Sequence, residues 1–291
     1  MRGFFLLPRC PNRQGGPSLR TALTIAGSDP SGGAGIQADI KTMAANGIYA
    51  MSAITALTAQ NTTGVYGIME VPPEFLCAQI ETAAADIPPD AAKIGMVPSK
   101  KHAKAIFGCA ERLKLTNIVT DPVLLSTSGT GLIPDDDVKF LADALFPISS
   151  LITPNIPEAE RLSGFGSGTI GTKAHVEQAA RILQKRYGCA VLIKGGHAHG
   201  NADDFLITKD GNGTWITGRR IENPNTHGTG CTLSSAICAF LAKGMELERS
   251  VVLAKEYVTG AIASMMRLGN GRGPLNHLWK NEFTPETAFP G

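Results

Sequence analysis

The alternation of short apolar segments with amphipathic helical patterns is the feature that most constrains the fold of this chain. Apolar segments that predict strands cover residues 22–26, 49–57, 65–71, 92–96, 117–120, 151–153 and 190–194. Helical periodicity is found at residues 34–46, 73–85, 100–115, 135–145, 173–187 and 247–267, and two short segments, 205–208 and 214–217, predict an edge hairpin. Strands that alternate with helices form a largely parallel sheet covered on both faces. We therefore predict an α/β fold in one domain.

Composition and charge exclude several classes of partner. The chain has 291 residues, of which 43% are hydrophobic and 18% are charged, as in a globular protein with a sizeable core. Its formal net charge of +2 is too small to indicate binding to nucleic acid or to an anionic membrane surface. No apolar run approaches the roughly 18 residues that a membrane-spanning helix needs. We expect neither nucleic acid nor a membrane among its partners.

The cysteines bear on the cellular compartment of the protein, and the first twenty residues bear on where its domain begins. The six cysteines include no pair at C-x-x-C spacing, which favours reduced thiols in a cytoplasmic protein over a disulfide framework. We interpret five of them as small core residues and set Cys231 apart because of its motif. Near the start, arginines flank a short apolar patch that Pro8 interrupts, and this patch is too short for a secretory signal. We expect residues 1–20 to be a disordered extension or the product of an upstream start codon.

A glycine-rich segment directly precedes a helical pattern in the last quarter of the chain. Residues 225–232 read N-T-H-G-T-G-C-T, and an apolar stripe follows at Leu233, Ala236, Ile237, Phe240 and Leu241. A helix start exposes backbone N–H groups without intrahelical acceptors, together with the positive end of the helix dipole. Such a place binds anions, and a phosphoryl group is the anion that we expect here. The alternative is a glycine turn that only starts the helix.

Two nucleotide-binding motifs can be tested against the sequence. Residues 33–38, G-A-G-I-Q-A, satisfy the G-x-G-x-x-A dinucleotide fingerprint. That fingerprint also needs an acidic residue about twenty positions later, and residues 53–58 contain none. The P-loop motif G-x-x-x-x-G-K-[ST] is absent from the sequence. We therefore disfavour an NAD-dependent oxidoreductase and predict phosphate handling by residues 225–232, with the early glycines shaping an acceptor pocket.

Several segments together resemble one enzyme family. Residues 22–42, 52–61, 93–96, 153–158, 194–197 and 225–232 closely resemble the hydroxymethylpyrimidine/phosphomethylpyrimidine kinases of thiamine biosynthesis, in family order. The resemblance implies a ribokinase-like three-layer αβα sandwich, with residues 21–291 as a single kinase domain. It implies two successive phosphoryl transfers from ATP with Mg²⁺, first to the 5-hydroxymethyl group of an aminopyrimidine and then to its monophosphate. It also implies a homodimer, and it leaves a monovalent cation open.

The substrate-reading residue that the resemblance assigns is Gln60. Its carboxamide has one donor edge and one acceptor edge, so it can pair bidentately with the amino group and ring nitrogen of an aminopyrimidine. Its alternative role is that of a turn residue after a strand. Further substrate-binding positions assigned through the resemblance are Gly27, Asp39, Met96 and Val123.

Polar residues at other strand ends suit ATP and Mg²⁺. Asp121 follows a predicted strand, and Asn155 and Glu158 match an N-x-x-E motif associated with Mg²⁺ and phosphate. We assign Asp121 and Glu158 as metal ligands, and Asn155, Glu158, Lys194 and Thr226 as ATP or phosphate ligands. The alternative for Glu158 is a helix-capping role, and the alternative for Lys194 is an edge lysine that extends to solvent.

The catalytic group assigned through the resemblance comprises Gly228, Thr229, Gly230 and Cys231. Many ribokinase relatives carry Asp at the last of these positions, as the base for the acceptor hydroxyl. A helix N-terminus lowers the pKa of a thiol, so we expect Cys231 to have a lowered pKa and to act as a base or orienting group. Phosphoryl transfer depends more on positioning and charge neutralisation than on a strong base, so the amides alone could carry the rate.

The sequence also departs from the family pattern and leaves alternatives open. Thr127 and Thr130 stand where family members usually have Lys and Asp, in a segment that we expect to cover the site. His197 and His199 have H-x-H spacing but no evident further ligand, which favours a surface turn over a metal site. The nearest alternative activity is pyridoxal or pyridoxine phosphorylation. A nucleotide-dependent sensor would bind without turnover, and a cysteine hydrolase would need His227 directed at Cys231.

Overall fold

The computed structural model describes residues 19–124, 135–195 and 201–280. Within them, the strands are β1 (Thr21–Ser28), β2 (Tyr49–Asn61), β3 (Gly64–Glu70), β4 (Ala91–Ile94), β5 (Ile118–Thr120), β6 (Leu151–Ile152), β7 (Ala190–Ile193), β8 (Asp204–Ile207) and β9 (Gly213–Ile216). The helices are α1 (Gly35–Ala45), α2 (Pro73–Asp86), α3 (Lys100–Leu113), α4 (Asp135–Leu145), α5 (Ile156–Ser163), α6 (Lys173–Tyr187), α7 (Thr229–Ala242) and α8 (Leu247–Ala263). The expectations about residues 1–18, Thr127, Thr130, His197 and His199 fall outside the described residues.

All nine strands form one sheet in the order β3-β2-β1-β4-β5-β6-β7-β8-β9. In the centre of the sheet, the neighbouring strands β2, β1, β4, β5, β6 and β7 pair in parallel. At the two edges the pairing is antiparallel, between β3 and β2, between β8 and β7, and between β9 and β8. The predicted hairpin at the sheet edge is confirmed as β8 and β9. Because the central strands are parallel, their carboxyl ends meet along one edge of the sheet, where open α/β proteins bind ligands.

Helices cover both faces of the sheet and create two separate cores. One core packs α2, α3, α4 and α6 against one face, through residues such as Leu76, Ile106 and Leu183. The other packs α1, α7 and α8 against the opposite face. Neighbouring residues of β1 alternate between them, since Ala22 lies in the second core and Leu23 in the first. The arrangement is the three-layer αβα sandwich that the resemblance implies.

Two predicted boundaries differ from the structure by four residues each. Strand β2 does not end at residue 57 but continues to Asn61, because its last residues pair with β3 in an antiparallel hairpin. Helix α8 stops at Ala263 rather than at residue 267, because Met265 adopts a left-handed backbone with φ of 47°. None of the helices in the described segments combines the length and the hydropathy needed to cross a bilayer.

Candidate active site

A cavity of about 900 Å³ opens at the carboxyl ends of the parallel strands. The predicted site residues that line it are Gly27, Gln60, Met96, Asp121, Val123, Asn155, Glu158, Lys194, Thr226, Gly228, Thr229, Gly230 and Cys231. Asp39 was predicted as a substrate-binding residue but does not line it. The fold therefore gathers residues from the early, middle and late parts of the chain around one volume.

The glycine turn before α7 leaves backbone donors directed at this cavity. Gly228 caps the helix with φ of 80°, and a Cβ atom there would collide with the carbonyl oxygen of Gly33. The N–H of Thr229 lies 3.3 Å from the carbonyl oxygen of Thr226. No described residue accepts a hydrogen bond from the N–H of Gly230 or Cys231. These two donors and the helix dipole together form a cradle for an anion.

The early glycine segment is held against this turn by Asp29 and His227. The carboxylate of Asp29 accepts hydrogen bonds from the N–H of Ser31 at 2.9 Å and of Ala34 at 2.8 Å. Its Oδ2 also lies 2.8 Å from Nε2 of His227, the residue before Gly228. Burial acts to raise the pKa of Asp29, but the hydrogen bonds from His227 and Ser31 hold that pKa below its usual value. The two glycine segments are thus one structural unit.

Gln60 lies within β2, beyond the part of that strand that pairs with β1. It is paired with Val65 of β3, so its expected position after the strand was wrong, and so was the alternative role as a turn residue. Its carboxamide lies between Thr58, 3.2 Å from Oγ1, and His227, 3.4 Å from Nε2. The Thr58 hydroxyl already donates to the carbonyl oxygen of Ser28 at 2.8 Å. A flipped amide, with NH₂ toward Thr58 and oxygen toward His227, satisfies both neighbours better.

Asp39 belongs to a buried polar cluster beneath the cavity. Its carboxylate accepts hydrogen bonds from the hydroxyls of Thr24 and Ser235, each at 2.6 Å, and from Nζ of Lys93 at 2.9 Å. The side chains of Asp39 and Lys93 are both fully buried. Burial acts to lower the pKa of Lys93, but the adjacent Asp39 carboxylate raises that pKa above its usual value. The substrate-binding role predicted for Asp39 is therefore unsupported by its position, whereas Lys93 does line the cavity.

Three ionisable side chains, those of Asp121, Glu158 and Lys194, lie close together beside the glycine turn. Nζ of Lys194 lies 2.7 Å from Oδ1 of Asp121, which also accepts a hydrogen bond from Thr153 at 3.0 Å. Burial raises the pKa of Glu158 to about 7, with Lys194 opposing and Asp121 adding to the shift. Burial also acts to lower the pKa of Lys194, but Asp121 and Glu158 raise it above its usual value. Lys194 is thus a paired cation and not an edge lysine that extends to solvent.

Asn155 and Glu158 form the helix-capping arrangement that the sequence left open. The side chain of Asn155 accepts from the N–H of Glu158 at 2.9 Å, and Glu158 accepts from the N–H of Asn155 at 2.8 Å. This reciprocal pair is a capping box at the start of α5. The alternative of a capping role is therefore confirmed, and it places the Glu158 carboxylate at the cavity wall.

The carboxylates at this wall fit a Mg²⁺ ion that is held jointly by the protein and the substrate phosphates better than a metal site made of protein ligands alone. In the parts of the chain that the structure describes, no three His, Cys, Asp or Glu side chains are arranged to hold a metal. The carboxylate of Asp121 lies close enough to Glu158 to add to the rise in the pKa of Glu158. Mg²⁺ is commonly held by one or two carboxylates together with substrate phosphates. The donor set matches that pattern.

Cys231 lies at the start of α7 and lines the cavity, but its ionisation is not as expected. Burial raises the pKa of its thiol to about 11, and the nearby Lys93 ammonium only partly opposes this shift. The expected lowering of the pKa at a helix N-terminus was wrong, because desolvation outweighs the favourable charges. Nε2 of His227 is directed at Asp29. The arrangement gives no support to a Cys–His nucleophile.

Comparison with known sequences identifies the family. A family model described as phosphomethylpyrimidine kinase matches residues 29–276. The chain belongs to this family. The hydroxymethylpyrimidine/phosphomethylpyrimidine kinase of Haemophilus influenzae is 40% identical over 264 residues, covering 89% of this chain and 97% of that protein. The thiamine biosynthesis bifunctional protein ThiED of Geobacter sulfurreducens is 44% identical over 89% of this chain, which spans about half (52%) of that longer protein.

Solved structures of a phosphomethylpyrimidine kinase and of a pyridoxal kinase have the same fold as this chain. The ADP complex of Bacillus subtilis pyridoxal kinase gives a TM-score of 0.84 at 33% identity, covering 91% of this chain and 100% of that one. The phosphomethylpyrimidine kinase of Clostridium difficile gives a TM-score of 0.73 at 41% identity, covering 84% and 99%. The predicted ribokinase-like α/β fold is confirmed.

Three residues that shape the site, Asp29, Lys93 and His227, had no role in the kinase assigned from the sequence. All three lie inside or beside segments that carry the family resemblance. Lys93 had the clearest signal, because it is a lone charge inside a short apolar strand, where a buried partner is required. His227 and Asp29 had no such signal, since their contact joins residues 198 positions apart.

Proposed function

We propose that this chain transfers the terminal phosphoryl group of ATP to the 5-hydroxymethyl group of 4-amino-5-hydroxymethyl-2-methylpyrimidine. A second transfer to the monophosphate gives the diphosphate that thiamine biosynthesis consumes. The observation that carries this proposal is the pair of unpaired amides at Gly230 and Cys231, which face the paired cation Lys194 across one cavity. Family membership gives the same activity class.

The acceptor ring binds at the end of the cavity formed by β1, β2 and β4. Gln60 offers a carboxamide for the amino group and ring nitrogen, and its own neighbours Thr58 and His227 fix its orientation. A Cβ atom at Gly27 would lie 2.8 Å from Sδ of Met96, so the glycine leaves room for that thioether at the wall. Met96 and Val123 supply apolar surface for the faces of the ring.

The phosphoryl group is held between the glycine turn and Lys194. A Cβ atom placed on Gly230 would lie 3.2 Å from Nζ of Lys194, so the amide and the ammonium approach the same small space. Asn155 and Thr226 line the adjoining wall. Donors that are fixed before the reaction stabilise the charge that develops during transfer without having to reorganise. These residues position and neutralise the group, which is what a loose phosphoryl-transfer transition state requires.

Asp121 and Glu158 are the residues that would hold Mg²⁺. A bound Mg²⁺ ion would supply positive charge at this wall, which would neutralise the charge that develops on the transferred group. Lys194 holds Asp121 in place through its 2.7 Å contact, and the capping box fixes Glu158. The two carboxylates are thereby oriented before nucleotide arrives.

Cys231 contributes orientation more than base strength. With a thiol pKa of about 11, it is protonated at neutral pH. Its sulfur lies at the helix N-terminus beside the unpaired amides, where an acceptor hydroxyl must approach the phosphoryl group. It can accept a weak hydrogen bond from that hydroxyl and direct its oxygen for in-line attack.

Pyridoxal phosphorylation is the second candidate, because a pyridoxal kinase has the same fold at 33% identity. Gln60 favours the aminopyrimidine, since the pyridoxal ring has a nitrogen but no amino group beside it for a bidentate contact. The deciding experiment measures ADP release with Mg²⁺ and each acceptor separately, and resolves the products by phosphate count. We expect turnover with the aminopyrimidine and with its monophosphate. No ADP release with either would refute the proposal.

The variant Gln60→Leu tests the recognition step. We expect a large rise in KM for the pyrimidine with an unchanged melting temperature, because the residue lies on a hairpin arm and is only partly buried. An unchanged KM for the pyrimidine would remove Gln60 from the proposed role.

We further propose that the enzyme is a cytoplasmic homodimer. The edge strand β3 exposes apolar side chains, with Tyr66 70% and Met69 62% exposed, and a second copy would cover them. Light scattering of the purified chain measures the oligomeric state. Potassium titration in the ADP assay measures whether a monovalent cation contributes.

A further inference from the structure

Two thiols from adjacent helices lie against each other on the face of the sheet that carries α2 and α3. Sγ of Cys77 in α2 is 3.1 Å from Sγ of Cys109 in α3. From the sequence, both were interpreted as small core residues, because no two cysteines have C-x-x-C spacing. Within the described ranges, no other pair of cysteines makes such a contact. The two sulfurs are adjacent without any rearrangement of the helices.

The surroundings of the two thiols are different, and the difference sets an order of reaction. Cys77 is half-buried, so a small reagent can reach it, whereas Cys109 is buried. Nη2 of Arg112 lies 3.4 Å from Sγ of Cys109, and the same nitrogen is 2.6 Å from a carboxylate oxygen of Glu81. Burial, the adjacent Cys77 thiol and Glu81 raise the pKa of the Cys109 thiol above its usual value, and the Arg112 guanidinium opposes that shift. Cys77 is therefore the accessible thiol, and Cys109 is the resolving thiol with a cation beside it.

We propose that Cys77 and Cys109 form a reversible disulfide when the protein meets a low-molecular-weight disulfide such as oxidised glutathione. In the first step the Cys77 thiolate attacks one sulfur of the reagent, which leaves a mixed disulfide and releases one glutathione thiolate. In the second step Cys109 loses its proton and its sulfur attacks Sγ of Cys77, which releases the second glutathione thiolate. The two cysteines are oxidised, one molecule of oxidised glutathione is reduced to two thiols, and the two protons pass to those thiols.

The bond would stabilise the fold without altering the cavity. It joins α2 to α3 and closes a loop that contains β4, which restricts the unfolded chain. For a loop of this length and a chain of this size, we expect the melting temperature to rise by roughly 5–10 °C. Neither Cys77 nor Cys109 lines the cavity. The rate of ADP formation should therefore change by less than about twofold.

The test is oxidation of the purified full-length chain with a graded excess of oxidised glutathione. Tryptic peptides are then mapped by mass spectrometry under non-reducing conditions. We expect a peptide cross-linked through Cys77 and Cys109, the loss of two titratable thiols, a higher melting temperature, and full reversal by dithiothreitol. Cys77→Ser and Cys109→Ser should each abolish the cross-link and the thermal shift, whereas the matched control Cys189→Ala, a buried cysteine without a thiol neighbour, should retain both.

Three outcomes would overturn the proposal. They are a mixed disulfide that persists on Cys77 without a cross-link, a cross-link that involves another cysteine, and no thiol loss at a large excess of reagent. If a serine variant fails to fold, the peptide map of the unmodified sequence still decides. The outcome is independent of the proposed kinase activity, because the cross-link is detected without substrate.

Discussion

Gly230→Ala is the substitution that separates the anion cradle from the stability of the fold. Gly230 lies in the first turn of α7 and does not have the positive φ of Gly228. Its backbone therefore accepts alanine, and alanine in place of glycine favours a helix by about 0.5–1 kcal/mol. The added methyl group would lie 3.2 Å from Nζ of Lys194 and 3.3 Å from Oδ2 of Asp121. Small shifts of those side chains cost a similar amount, so we expect the free energy of unfolding to change by less than about 1 kcal/mol.

The effect on catalysis should be much larger than the effect on folding. The methyl group would fill the space between the unpaired amide and Lys194, so a phosphoryl oxygen could no longer reach both. Loss of one preorganised donor of this kind reduces kcat by about 10²–10³, which corresponds to ~2.7–4 kcal/mol of transition-state stabilisation. The chain would then be a folded protein with a nearly inactive site.

A coupled assay of ADP formation and a urea titration measure the two quantities on the same preparation. The matched control is Gly108→Ala, also within a helix, where the new Cβ would meet only the flexible end of Arg112 at 3.1 Å. The control should leave kcat unchanged. If Gly230→Ala retains a kcat within about threefold of the unmodified protein, the amides do not hold the transferred group, and the proposed mechanism is wrong.

Further predictions concern the thiol, the buried ion pair and a buried histidine. Cys231 should resist alkylation by iodoacetamide at pH 7 and react as the pH approaches 11, and rapid labelling at neutral pH would contradict its raised pKa. Lys93→Met should lower the free energy of unfolding in urea by about 3–5 kcal/mol, because it leaves the buried carboxylate of Asp39 without its cation. Burial lowers the pKa of His277 to about 4. Between pH 6.5 and pH 4, the unfolded chain binds a proton at His277 that the folded chain does not bind. The contribution of His277 to the free energy of unfolding should therefore be fully present above pH 6.5 and fall by about 1.4 kcal/mol per pH unit from there down to pH 4. His277→Gln should flatten this slope in urea titrations at several pH values, and an unchanged slope would assign it to other groups.

The fold and the location of the site were predictable because their signals are local, whereas the individual substrate-binding and catalytic residues were assigned through the family resemblance. Strand and helix periodicity gave the layer order, and polar residues after each strand marked the ligand-binding edge. Gly228 and Gly230 were recognisable because a helix start with glycines exposes its amides whatever surrounds it. The sequence could place these residues in one cavity because parallel strands bring their carboxyl ends together.

The errors at Cys231, Asp39 and the end of β2 have a common physical origin, which is contact with other elements of the fold. The pKa of Cys231 depends on how deeply the final packing buries it, and helix position alone predicts the opposite direction. Asp39 follows the early glycines as a substrate ligand would, yet Lys93 and Ser235 approach it from other elements. The length of β2 depends on its pairing with β3, since only Thr58 among residues 58–61 is itself a strand former.

The close approach of Gly33 to Gly228 has a consequence for how the protein is made. The two residues belong to opposite ends of the chain, and neither glycine segment has its final shape without the other. A ribosome must therefore release most of the polypeptide before any phosphate-binding surface exists. Such long-range closure slows folding, so fragments that end before Gly228 should be inert toward nucleotide.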